Sequence, residues 1–276
     1  MLASLLLTLR EGLEAALLVG ITLGALRRLH QADQRRWVWF GVAAAVLLSL
    51  AAAAGLQAVG AKLEGRAEQV FEGVTMLVAA GVLTWMILWL QRQGRQTQTS
   101  LEAEVQSAAL HKQSWAIFLI AFTAVVREGV ETALFLSAAA MTTSSKEVLA
   151  GAVLGLAAAG VLGYVLYAST RRLNLHRFFQ VTGVLLMLFA AGLVGHSVHE
   201  FNEAGVIPAV IAPVWDINHI FDEDSSLGQI SKALFGYNGN PSLSEALAYL
   251  AYFMVVVSAS VRQGRPVAQP RPSVEA

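Results

Sequence analysis

REGLEAALL at residues 10–18 and REGVETALF at residues 127–135 each set one arginine and two glutamates in sequence that is otherwise almost wholly apolar. The runs around them decide the fold class. A helix needs about 20 apolar residues to cross a hydrocarbon core, and seven stretches qualify: 2–26, 38–61, 70–90, 115–141, 147–168, 178–197 and 244–261. Of the 276 residues, 56% are hydrophobic and 14% charged, with a mean hydropathy of +0.58. A soluble domain carries about 25% charged residues. The expectation is an all-α, polytopic membrane protein with seven transmembrane helices. The first span does not read as a cleaved signal peptide: Arg10, Glu11 and Glu14 interrupt it, and neither a basic n-region nor a small-residue cleavage site accompanies it.

Several function classes fall away on composition. Lys+Arg and Asp+Glu balance at 19 each, which gives no sign of a nucleic-acid partner. Cysteine is absent, so there are no disulfides, thiolate metal sites or cysteine nucleophiles, and the redox compartment stays open. No G-x-x-x-x-G-K-[ST] occurs, so this chain does not spend ATP.

Basic residues cluster after the odd-numbered spans. Thirteen lie there (Arg27, Arg28, Arg35, Arg36, Arg92, Arg95, Lys112, Arg171, Arg172, Arg177, Arg262, Arg265 and Arg271) against four on the other side (Lys62, Arg66, Lys146 and Lys232). By the positive-inside rule the N-terminus is outside and the C-terminus cytoplasmic. Eleven acidic residues lie on or near the outer side, where they raise the local concentration of cations.

The two motifs stand 117 residues apart, and EGVTMLVAAGVL at 72–83 resembles TGVLLMLFAAGLV at 182–194. Spans one to three therefore match spans four to six. Three crossings is an odd number, so the second copy enters from the opposite face: an inverted 3+3 repeat plus one C-terminal helix. Transporters of this plan place their sites near the midplane, where the repeats meet. The boundaries are 1–113 for the first repeat with its cytoplasmic loop, 114–197 for the second, 198–243 for an extracytoplasmic loop, 244–263 for the seventh helix and 264–276 for a disordered tail. Residues 91–114 read as a cytoplasmic loop with an amphipathic helix. The outer loop is apolar around 206–214 and either packs on the bundle or dips into the membrane.

A charge near the middle of a span costs roughly 2.5–3.5 kcal/mol on insertion scales, so it faces the protein interior and needs partners. Arg10 and Glu14 are i,i+4, as are Arg127 and Glu131, and can pair along a helix face. Pairing of this kind is the purely structural reading. It leaves Glu11 and Glu128 unaccounted for, and four glutamates with two arginines leave a net −2. Carboxylate oxygens suit hard cations such as Fe³⁺, Mg²⁺, Ca²⁺ and Mn²⁺; a proton relay through paired glutamates is the other functional reading. Gly12 and Gly129 let a neighbouring backbone approach. On the outer side, Glu64, Glu68 and Glu72 follow i,i+4,i+8 spacing, and HSVHEFNE supplies His196, His199, Glu200 and Glu203, with Asp222, Glu223 and Asp224 in the loop beyond. Each group alone reads as a solvated helix end; together above a buried carboxylate pair they read as a collecting vestibule, with Glu72, Glu68, His199, Glu200 and Glu203 as candidate ligands.

The doubled R-E-G-x-E, seven spans and outside N-terminus resemble the oxidase-dependent iron permease family, most closely its bacterial EfeU-type members. FEG at 71–73, LTWM at 83–86, F-x-E-A-G at 201–205, LFGY at 234–237 and PSLSE at 241–245 add to the likeness, which runs from residue 2 to about 261. The resemblance implies a high-affinity iron permease of the cytoplasmic membrane whose iron path is Glu11 and Glu14 with Glu128 and Glu131, Arg10 and Arg127 supporting them as ion pairs. Iron is then the transported substrate, with no permanently bound cofactor. The resemblance also implies an oxidising partner, EfeO-like or EfeB-like in the bacterial periplasm, supplying Fe³⁺. The second copy reads REGVE where the first reads REGLE, a change that leaves the ligand chemistry alone. The alternative is a broader divalent-metal or proton-coupled cation transporter. A membrane di-metal carboxylate ferroxidase fits less well, since such sites add Glu-x-x-His motifs and neither helix contains a histidine.

Overall fold

The computed structural model describes residues 1–111, 113–168, 175–219, 221–222, 225, 228, 231–232 and 236–263, with the backbone alone at 90–99, 102, 166–168, 175–176 and 260–263. Among these, seven long helices carry the fold and there are no strands. They are α1 (Leu2–Arg28), α2 (Arg35–Gly60), α3 (Arg66–Leu110), α4 (Ser114–Thr142), α5 (Ser145–Ala168), α6 (Leu175–Glu203) and α7 (Leu243–Gln263). A short 3-10 turn at Ala32–Gln34 joins α1 to α2. Gly65, at φ +59°, starts α3 in a conformation that a residue with a Cβ rarely adopts.

Four of these helices have the length and hydropathy to cross a membrane, over Ala32–Gly60, Arg66–Trp89, Ser145–Val165 and Arg177–Glu203. α1 and α4 differ from these four in charge, since each carries the three ionisable residues of an R-E-G-x-E motif within its apolar run. The greasy surface agrees with a bilayer-facing exterior. Leu47 and Leu50 on α2, Leu149 and Val161 on α5, and Leu250 and Met254 on α7 are all exposed.

One end of the bundle is acidic, with Glu64, Glu68, Glu200 and Glu203. The other is basic, with Arg27, Arg28, Arg35 and Arg36, and it carries three of the six tryptophans: Trp37, Trp39 and Trp115. Such amphipathic rings collect at a membrane–water boundary.

Pairing of the helices is specific. α1 lies chiefly on α5, α2 on α4 and α3 on α6; α1 and α4 meet in the middle, and α7 covers α6. Small residues at i,i+4 intervals make the first two contacts close. On α1 these are Ser4, Thr8, Gly12 and Ala16; on α5 they are Gly151, Gly155, Ala159 and Gly163. A Cβ added at Gly12 would sit 2.7 Å from that of Ala159, and one at Gly163 equally near that of Ala16. Gly129 of α4 meets Ser49 of α2 in the same way, and Gly41 of α2 meets Phe118 and Ala121. Within lipid there is no hydrophobic drive between helices, so such backbone proximity supplies the dispersion contact that holds them.

Two apolar clusters fill the interior. The larger joins Leu7, Met76, Ala80, Leu83, Phe135, Leu186 and Phe189 toward the acidic end. The smaller joins Leu26, Val38, Val105, Ala109, Ile117 and Ala121 at the basic end. Both R-E-G-x-E motifs lie between them in sequence on α1 and α4.

Residues 91–110 differ from the expected loop, since α3 continues unbroken to Leu110. Gln, Arg, Glu, Ala and Ser dominate there, with one glycine and no proline before Leu110, so nothing stops the helix. Its far end is anchored by Val105 and Ala109 in the basic-end cluster and by a hydrogen bond from Gln34 Nε2 to the Ala109 carbonyl at 3.4 Å. Beyond α6, the segment around 211–217 folds back along 239–243: Val214 N–H donates to the Pro241 carbonyl, Ile217 N–H to that of Gly239 and Leu243 N–H to that of Ile211, each at 2.9 Å. Lys112, Arg171, Arg172, Glu223, Asp224 and the tail from 264 lie outside the described residues.

Candidate metal centre

α1 and α4 bring their charged residues together at the centre of the bundle. Glu11 and Glu128 are buried, at 1% and 4% exposure, and Glu131 is largely so. One carboxylate oxygen from each of Glu11, Glu128 and Glu131 lies within 4.8 Å of the others. Neither oxygen of Glu11 has a hydrogen-bond partner, nor has Oε2 of Glu128 or Oε2 of Glu131. A buried carboxylate without a donor is costly unless a cation neutralises it, and four such oxygens belong to the three residues that converge here.

Each arginine pairs with a glutamate of its own helix. Arg10 Nε donates to Glu14 Oε1 at 3.1 Å, and Arg127 Nε to Glu131 Oε1 at 3.0 Å, with Glu128 Oε1 at 3.9 Å from the same nitrogen. Both i,i+4 pairs expected from spacing are therefore present. The group of three differs from the expected four: Glu14 points its carboxylate at Arg10 and is absent from it. Arg10 is 1% exposed with Nη1 and Nη2 unpartnered, whereas Arg127 is 40% exposed and places its guanidinium carbon 5.2 Å from the Trp89 ring centre.

The acidic end holds a second polar constellation. His199 Nδ1 lies 3.1 Å from Glu245 Oε1, and its Nε2 3.3 Å from Glu203 Oε1. Gln69 Nε2 donates to Glu203 Oε2 at 3.0 Å, linking α3 to α6. Glu72 and Glu68 stand close enough to Glu200 for their charges to act on it. Sequence placed Glu72, Glu68, His199, Glu200 and Glu203 at this end, and they are there. Among the described residues, however, only Glu11, Glu128 and Glu131 draw three ligand atoms within 4.8 Å; the outer residues are spread along α3 and α6, with His199 paired to Glu203.

Glu245 went unnoticed as a partner of His199. Its signal was the S-x-x-E of residues 242–245. Ser242 N–H donates to Glu245 Oε1 at 3.2 Å while Glu245 N–H donates to Ser242 Oγ at 3.3 Å, a capping box that starts α7. The same carboxylate accepts from Asn238 Nδ2 at 2.8 Å. Trp89 was also missed, because its relation to Arg127 joins residues 38 positions apart on different helices.

Comparison with known proteins follows this geometry closely in extent. The model of the iron permease FTR1 family matches residues 1–263. A ferrous iron permease EfeU of Escherichia coli strain UTI89 is 34% identical over 266 residues, covering 95% of both chains. That of Shigella sonnei is 34% identical over 259 residues, 92% of this chain and 93% of its own. That of Yersinia pestis is 31% identical over 256 residues, 92% and 91%. No solved structure matches. A matched span that takes in both R-E-G-x-E helices and all seven long helices assigns this multi-pass membrane protein to the iron permease FTR1 family.

Proposed function

We propose that the protein is an iron permease of the cytoplasmic membrane, and that iron passes through a central site built by Glu11, Glu128 and Glu131, with Glu14 joining when it leaves Arg10. The observation that carries this is the convergence of three buried carboxylates, four of whose oxygens have no hydrogen-bond donor. A cation of charge two or three supplies what the helices withhold. The arginines orient Glu14 and Glu131 and limit repulsion within the cluster.

Seven crossings in an inverted 3+3 arrangement fit this reading. Exchanging α1–α3 for α4–α6 maps the α1 and α5 pairing onto that of α4 and α2. It also maps Gly12 against Ala159 onto Gly129 against Ser49, and one arginine–glutamate pair onto the other. The basic, tryptophan-rich end is cytoplasmic by the positive-inside rule, which puts the acidic end outside as a collecting vestibule and as the face toward an oxidising partner.

Oxygen donors without nitrogen or sulfur favour a hard ion, and on that ground the carried species is Fe³⁺; the relatives named above are ferrous iron permeases by name. Radiolabelled iron uptake into sealed vesicles tests both points. Wild type should accumulate iron, Glu128→Gln should not, and uptake of Fe²⁺ should rise with an oxidant. Uptake that persists when ascorbate keeps the iron reduced would make Fe²⁺ the cargo. Wild-type uptake unchanged in Glu128→Gln would remove the central site from the path.

Proton coupling is the second reading, favoured by the facing of Glu11 and Glu128: one proton held between them would satisfy both carboxyls. It differs in that dissipating a pH gradient would abolish uptake.

A further inference from the structure

The charged layer is not reached equally from its two ends. Arg10 lies eight residues inside the acidic end of α1, roughly 12 Å by helical rise, and yet is 1% exposed. Arg127 lies 13 residues inside the basic end of α4, roughly 20 Å, and yet is 40% exposed. The repeat makes these two arginines equivalent in sequence, so the difference belongs to their surroundings. Above Arg10 the larger apolar cluster closes in, with Leu7 fully buried beside it in sequence. Directly below Arg127 the bundle is also filled, by Leu26, Val38, Val105, Ala109, Ile117 and Ala121. On its α3 side, the residue that meets Arg127 is Trp89.

Trp89 lies on α3, level with the charged layer, and the helix runs on beyond it to Leu110. Its ring stacks on Trp85 at 6.4 Å and lies 5.2 Å from the guanidinium carbon of Arg127. That guanidinium meets both kinds of group, Glu131 and Glu128 through its Nε and the ring through its carbon. Among the described residues Arg10 has no ring beneath it.

On the iron-permease reading above, we propose that Trp89 and Arg127 form a side door between α3 and α4 through which the carboxylate site releases its cation toward the basic end. Trp89 acts as a positioning residue. A metal ion leaving Glu128 and Glu131 must pass the guanidinium that holds them, and a guanidinium that lets go of a carboxylate inside a membrane needs somewhere to stay. The electron-rich face of the indole provides that place without forming a bond that would trap it. Arg10, buried and without a ring, has no such alternative and keeps the opposite end shut in this conformation. The door is thus specific to one direction, and it is made of side chains rather than of a moving helix.

The chain contains no cysteine, so single-cysteine variants report cleanly on access. Trp89→Cys and Arg10→Cys would be labelled with a membrane-impermeant thiol reagent in right-side-out and inside-out vesicles. Trp89→Cys is expected to react only from the cytoplasmic face, and Arg10→Cys from neither. Reaction of Arg10→Cys from outside, or of Trp89→Cys from outside alone, would overturn the assignment. Transport supplies the second arm, with Trp89→Leu and Trp89→Phe compared in iron uptake and in equilibrium iron binding to the purified protein. Trp89→Leu should lower the maximal uptake rate about fivefold to tenfold with half-saturating iron and bound iron unchanged, and Trp89→Phe, which keeps a ring, should recover most of the rate. Equal rates in wild type and Trp89→Leu, or an equal loss in Trp89→Leu and Trp89→Phe, would refute a role for the ring. If wild type itself binds no iron, the permease reading fails, and the labelling arm still decides whether the door exists.

Discussion

Replacing Glu11 by glutamine should make the metal-free protein more stable while destroying its affinity for iron. Glu11 is 1% exposed, neither of its oxygens has a donor, and carboxylate oxygens of Glu128 and Glu131 lie within 4.8 Å. Two like charges at that distance repel by about 3.5 kcal/mol at an effective dielectric of about 20. Arg10 beside it and the burial cost of the amide itself reduce the gain, leaving about 1–2 kcal/mol. For a chain of this size that is a rise of about 2–8 °C in melting temperature. The assay is thermal unfolding of detergent-solubilised protein, followed by loss of monodisperse material on heating in chelator, for wild type and Glu11→Gln. Iron binding by the same samples should weaken by tenfold or more, because one of three hard ligands is gone. A fall in melting temperature in chelator would refute the reasoning. It would mean that Glu11 is a structural partner whose acceptor role the helices were built around.

Three further outcomes are expected. Gly155→Val would drive a branched side chain into Thr8 and the Leu5 backbone across the α1 and α5 contact and should destabilise by about 1–3 kcal/mol or more; Gly160→Val, which meets nothing within 4 Å, should be nearly silent in the same melt. Glu245→Gln weakens the ion pair with His199 and the cap of α7 and should cost about 1 kcal/mol, with Ser242→Ala additive to less than the sum of the two because they share one capping box. Thr84 and Tyr252 hydrogen-bond at 2.7 Å between α3 and α7; a double-mutant cycle with Thr84→Val and Tyr252→Phe should give a coupling of about 0.6 kcal/mol, the usual size inside a membrane.

Helix positions were legible because their signal is long: extended, mostly apolar runs gave α1, α2, α4, α5 and α7 to within a few residues. α3 was cut too early because hydropathy ends at about residue 90, whereas helix propensity does not. α6 was cut too early for the same reason, since HSVHEFNE is polar yet stays helical to Glu203. Within the central site, spacing alone fixed the pairs of Arg10 with Glu14 and Arg127 with Glu131, both contained in one helix. What spacing could not give was which glutamates face each other across the repeat. That depends on how α1 and α4 rotate about their axes, and the rotation is set by glycines meeting Ala159 and Ser49 on two other helices. The same limit hid Glu245 and Trp89, whose partners are brought near by tertiary packing.

The most direct test of the central site is the stoichiometry and affinity of iron bound by purified protein, by equilibrium dialysis with radiolabelled iron. One tight site per chain is expected, weakened tenfold or more in Glu11→Gln and in Glu128→Gln and kept in Glu203→Gln at the acidic end. Tight binding retained in both central variants and lost in Glu203→Gln would contradict it, and would move the iron site from the buried carboxylates to the outer end of α6.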